Sequence, residues 1–77
     1  PFNPTTTISF NLDKSESVNM SIFDLNGKAV YELINNQFYL AGNYSINVNT
    51  GEFPSGLYFY QLQSGKNIST KKMLLLK

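Results

Sequence analysis

At 77 residues and a net charge of +1, the chain has room for one small domain and too little positive charge to hold nucleic acid by its phosphates. It contains no Cys and no His, which removes disulfides, a Cys/His zinc site, the commonest general base and the best nucleophile. No apolar run is long enough to span a bilayer, and Asn, Ser, Thr, Tyr and Phe stand where charges would, a β-rich composition. The first residue is Pro1 rather than Met and no signal peptide is visible. We therefore expect residues 1–77 to be one domain taken from a longer chain; if that parent is exported, its leader lies upstream.

In chain order, "TTTISFNL" alternates: Ile8, Phe10 and Leu12 share one face, Thr7, Ser9 and Asn11 the other. That is a half-buried strand. "DKSES" is a polar turn. "SVNMSIFDL" alternates again with Val18, Met20 and Ile22 inward. Asn26-Gly27 is a strong hairpin signal because both residues tolerate positive φ. "KAVYELIN" follows, and its Val30, Tyr31 and Ile34 favour strand over helix. Residues 35–43, "NNQFYLAGN", read as a loop whose Phe38, Tyr39 and Leu40 tuck back on the core. "YSINVN" turns Tyr44, Ile46 and Val48 inward, and "TGEFPSG" is a turn. "LYFYQLQ" is apolar on both faces, as a central strand covered on both sides is. Gly65-Lys66 then opens a hairpin into a last strand. Six or seven short strands without a helix predict an all-β fold, a small antiparallel Ig-like or fibronectin-like β-sandwich.

The chain closes on "KKMLLLK". In a strand Met73 and Leu75 face one side, Leu74 and Leu76 the other. One pair fits the core; the other needs its own cover or stays exposed. Lysines at both ends guard against edge-to-edge pairing. Two readings stand: a final core strand flanked for solubility, and a terminal strand that a partner reads.

The acids are Asp13, Glu16, Asp24, Glu32 and Glu52. Asp13 and Glu16 share a predicted turn and read as solvated, since a paired-carboxylate cleft needs more protein than this. Asp24, two residues before Asn26-Gly27, reads as a turn cap; a calcium loop needs more oxygen ligands. Tyr31, Tyr39, Tyr44, Tyr58 and Tyr60 offer a sugar platform or, more simply, core rings with hydroxyls at the rim. Asn19, Asn43 and Asn67 head N-x-[ST] triplets, which arise by chance in an Asn- and Ser-rich chain. We expect no enzyme, no cofactor and no metal.

Four stretches in this order, "PFNPTTTISF", "IFDLNGKAV", "FPSGLYFYQL" and "KMLLLK", resemble the type A C-terminal sorting domain of the type IX secretion system (the Por secretion system) of Gram-negative bacteria. The resemblance spans essentially the whole chain. Asn3-Pro4 matches the family's Asn-Pro before the first strand. Asp24, Gly27, Lys28 and Val30 match its D-x-x-G-[KR]-x-V hairpin, and Gly56, Tyr58 and Leu62 its G-x-Y strand. Lys72, Met73, Leu74, Leu75, Leu76 and Lys77 match the closing Lys-apolar-Lys signature, the segment the translocon would recognise. Phe53-Pro54 departs from the family, whose members more often carry Leu-Ala there.

The resemblance implies an address label. The parent would pass through the periplasm to the cell surface or beyond, recognised by the outer-membrane translocon and its shuttle proteins. A sortase-like cysteine protease would cut at the N-terminal border of the domain, releasing the cargo or joining it to lipopolysaccharide. The competing expectation is a fibronectin-like spacer or carbohydrate-binding module of a modular extracellular enzyme, which would not need to end its chain.

Overall fold

The computed structural model describes residues 5–76. The alternating runs become six strands: β1 (Thr5–Leu12), β2 (Glu16–Phe23), β3 (Ala29–Tyr39), β4 (Gly42–Asn49), β5 (Gly56–Ser64) and β6 (Asn67–Leu75). β1 pairs with β4 in a two-stranded ribbon. The other four form an antiparallel sheet in the order β3-β2-β5-β6. Chain connections at β1–β2, β3–β4 and β4–β5 cross between the sheets, so the two layers face each other as a small β-sandwich.

Period-2 alternation decides what lies between the layers. Ile8, Leu12 and Val48 come from the ribbon; Val18, Met20, Ile22, Ile34, Tyr58, Met73 and Leu75 come from the larger sheet. Ile8, Val18, Met20 and Ile22 are the most completely enclosed large side chains. Each such burial is worth about 1.5–3 kcal/mol, so β2, with three of the four, is the strand the core can least spare. Phe10, Tyr39 and Tyr44 close one end as a ring cluster, with Tyr39 edge-on to Tyr44 at a centroid distance of 4.9 Å.

Several expectations need correction. Residues 35–43 are not a loop: β3 runs through to Tyr39, and only Leu40 and Ala41 separate it from β4. The loop-like Asn35-Asn36 pair is a β-bulge. Val18 pairs with Gln37 and Met20 with Ile34, leaving two residues of β3 opposite Asn19. Asn36 takes φ 48°, which Asn tolerates, and its N–H donates to Asn19 Oδ1 at 2.8 Å. Phe38 and Leu40 do not tuck inward; they are 66% and 67% exposed, and Tyr39 alone of the three packs on the core.

The hairpin expected at Asn26-Gly27 forms between β2 and β3. Of the two residues Gly27 alone takes positive φ, at 82°. The Gly27 N–H donates to the Asp24 carbonyl and the Asp24 N–H to the Lys28 carbonyl, so a tight turn is followed by a left-handed Gly. β5 is central as expected, but Leu57 and Phe59 on its outer face are half-exposed rather than covered. Asp13 and Glu16 also part company: Asp13 is exposed in the turn, whereas Glu16 opens β2 half-buried.

Candidate recognition surface

Several of the motif residues, Asp24, Gly27, Lys28, Gly56, Tyr58 and Lys72 to Leu75 among them, lie at one end of the larger sheet, whereas Leu62 sits toward the other, opposite Met20 and Ser69. Phe23 is the register partner of Phe59, and Phe59 of Lys72. The end of β2, the start of β5 and the end of β6 therefore lie side by side, with the Asp24–Lys28 turn at the same end. Asn3-Pro4 and Lys77 lie outside the described residues.

Each motif has a local cause. Asp24 Oδ1 accepts hydrogen bonds from the N–H groups of Asn26 (2.9 Å) and Lys28 (3.0 Å), so its carboxylate is spent on the turn. This bears out the cap read from the sequence. Val30 sits on β3, an outer strand of its sheet, partly exposed. Gly56 begins β5 at φ 156°, a value L side chains rarely adopt, although a Cβ there would meet nothing within 4 Å. Two residues on, the buried Tyr58 donates its hydroxyl to the Pro54 carbonyl at 2.7 Å. The Phe53-Pro54 departure fits here: Pro54 supplies the accepting carbonyl, and the Phe53 ring lies tilted against Tyr58 at a centroid distance of 5.7 Å.

The same device occurs a second time, unnoticed in the sequence. Gly42 begins β4 at φ 148°, and Tyr44 donates its hydroxyl to the Leu40 carbonyl at 2.6 Å. The signal was legible: "GNY" and "GLY" each follow a turn and open an alternating run. Both rings are core with their hydroxyls at the rim, four residues back along the chain, as in the tyrosine corners of sandwich domains.

The G-x-Y strand positions the closing segment directly. Gly56 pairs with Leu75, Tyr58 with Met73 and Leu62 with Ser69. β6 is the outer strand of its sheet. Its inward residues Met73 and Leu75 are 6% and 5% exposed, whereas Leu74 and Leu76 are 63% and 81% exposed. Lys72 faces outward with Leu74, next to Phe59 across the strand pair. Both readings of the tail thus find a place in one strand: one face is core, the other is open.

Among the described residues there is no group of three or more acidic side chains placed to hold a metal. No helix among them is long and apolar enough to cross a membrane.

A family model described as Secretion system C-terminal sorting domain matches residues 1–76. No curated protein and no solved structure matches the chain. The chain belongs to the C-terminal sorting domain family of type IX secretion. Its function is that of a sorting signal for export across the outer membrane to the cell surface or the extracellular space, which implies interaction with the type IX machinery. The family is one of signals and not of catalysts, and a spacer or sugar-binding role finds no support.

Proposed function

We propose that the chain is the C-terminal address of a larger exported protein and that Lys72 to Lys77 form the part the outer-membrane translocon reads. The domain itself performs no catalysis. The observation that carries this reading is the division of β6: Met73 and Leu75 anchor the strand, leaving Leu74, Leu76 and Lys72 presented outward. A receptor serving many unrelated cargoes needs a feature independent of the cargo, and a rigid sandwich with its outermost strand held in register supplies one. The free edge of β6 offers backbone groups for strand addition, its outer face an apolar stripe, and its lysines a means of fixing register.

In this scheme the parent folds in the periplasm, shuttle proteins deliver it to the translocon, and a sortase-like cysteine protease cuts at the N-terminal border of the domain. The cargo is then released or attached at the surface.

The experiment is export of a reporter carrying the chain at its C-terminus, in a bacterium with a type IX system. Deleting Met73 to Lys77 would remove two core residues with the recognition face, so point variants separate the roles. Leu74→Glu with Leu76→Glu is expected to leave the sandwich folded and the reporter inside the cell. Normal export of that folded double variant defeats the assignment.

A further inference from the structure

Asn26-Gly27 is the single place in the chain where Asn precedes Gly. The pair makes the hairpin turn, and it also carries a reactive juxtaposition. In any Asn-X pair the side-chain carbonyl carbon of Asn lies near the main-chain nitrogen of the next residue. A side chain on that next residue hinders their approach, and Gly has none.

Other asparagines are engaged through their side chains. Asn11, Asn43 and Asn47 belong to the polar pairs of the ribbon. Asn19 Oδ1 accepts from the Asn36 N–H, and Asn49 Oδ1 from the Gly51 N–H at 2.9 Å. Asn26 and Gly27 are both exposed at the turn, and the Asn26 carboxamide makes no hydrogen bond among the described residues. The electrophile is therefore open to water.

The nucleophile is restrained. The Gly27 N–H donates to the Asp24 carbonyl at 3.0 Å. A hydrogen bond given by the amide favours its protonated form, and only the deprotonated nitrogen attacks. Asp24 Oδ1 also holds the N–H groups of Asn26 and Lys28, at 2.9 and 3.0 Å, so main-chain rotation between residues 26 and 27 would have to break the turn.

We propose that Asn26 is a site of spontaneous deamidation whose rate the Asp24 turn controls, slow in the folded hairpin and fast once the turn opens. Hydroxide removes the Gly27 amide proton, and the nitrogen bonds to Asn26 Cγ. The Cγ–Nδ2 bond breaks, and Nδ2 takes a proton from water and leaves as ammonia. Water then opens the cyclic imide. Cleavage at Cγ leaves an ordinary aspartyl residue at position 26. Cleavage at the main-chain carbonyl leaves an isoaspartyl link, which routes the main chain through Cβ and Cγ. Either product sets a second carboxylate near that of Asp24. The isoaspartyl link also lengthens the turn, so the Gly27 N–H and the Lys28 carbonyl no longer meet Asp24 together. The end of the sheet beside the closing strand is thereby loosened in chains that stay unfolded for long.

The test incubates a reporter fusion carrying the full chain in mildly alkaline buffer, folded and in denaturant. The tryptic peptide of residues 15–28 is then read by tandem mass spectrometry for the amide-to-acid change, with Asn19 in the same peptide as internal control. Chromatography separates the isoaspartyl form. Conversion at Asn26 is expected to be about ten-fold or more faster in denaturant than in the folded chain, and faster than at Asn19 in denaturant. Folded Asp24→Ala is expected to convert about ten-fold faster than the folded unaltered chain, the factor for losing one capping side chain. Asn26→Ser forms no imide and is expected to melt near the fresh chain, whereas the isoaspartyl fraction melts earlier. The proposal is overturned if the denatured chain is not converted at Asn26, or if the folded chain converts as fast as the denatured one. It is equally overturned if folded Asp24→Ala keeps the unaltered rate, or if the isoaspartyl fraction melts with the fresh chain. Should Asp24→Ala fail to fold, the ratio of denatured to folded rates in the unaltered chain decides.

Discussion

The two sheets of this sandwich turn opposite surfaces to the solvent. On the ribbon, outward residues of β1 and β4 face each other and bond to each other. Thr7 donates to Asn47 at 2.8 Å, Ser9 lies 3.3 Å from Ser45, and Asn11 donates to Asn43 at 2.7 Å. That surface is satisfied from within. The larger sheet keeps Leu25, Leu74 and half-exposed Phe23, Leu57 and Phe59 on its outer side, with Lys72 among them. A small domain gains nothing in stability from leucine in water; the exposed apolar patch marks a surface meant for something else. One face of the molecule is closed by its own cross-strand hydrogen bonds, and the other leaves apolar side chains open to solvent.

The contrast is broken most severely by removing what both sheets share. Ile22 is wholly buried, and Ile22→Ala should cost about 2–5 kcal/mol, seen as a large fall in the denaturant midpoint and, in the fusion, loss of export with loss of fold. Asp24→Ala comes next. It strips the acceptor from two turn N–H groups and should cost about 1–2 kcal/mol in the same measurement, loosening the end of the sheet where the signature residues meet. On the finished face the effect shrinks. Asn47→Ala removes one cross-strand bond and should cost about 0.2–1 kcal/mol, with export unchanged. Smallest in stability is Leu74→Glu, expected within about 0.5 kcal/mol of the unaltered chain because the side chain is already exposed. If Asn47→Ala impaired export while Leu74→Glu spared it, the roles assigned to the two faces would be reversed.

Most of the fold was legible because burial imposes a two-residue period on each strand. Ile8 with Leu12, Val18 with Met20 and Ile22, and Val48 are all inward as their alternation required. The stretch that misled was residues 35–39. Asn35-Asn36 reads as a loop by composition, but a bulge uses the same left-handed tolerance and lets pairing resume beyond it. Phe38 was then read as core because it is large and apolar, although after the bulge its side chain lies outside. The strand facing of the tail was readable, with Met73 and Leu75 opposed to Leu74 and Leu76. Which pair enters the core was not, since that depends on register with Tyr58 and Gly56, a long-range fact. The apolar patch on the outer face was hidden for a like reason: Leu25 and Phe59 are scattered in sequence and become neighbours only through the order of the strands.

The most direct test of the central claim compares Leu74→Glu/Leu76→Glu with Met73→Ala in one reporter, measuring the exported fraction and the melting temperature of each. The account predicts that the double variant melts near the unaltered chain yet stays in the cell, whereas Met73→Ala loses stability and export together. A double variant that remains folded and reaches the medium in normal amount would contradict it.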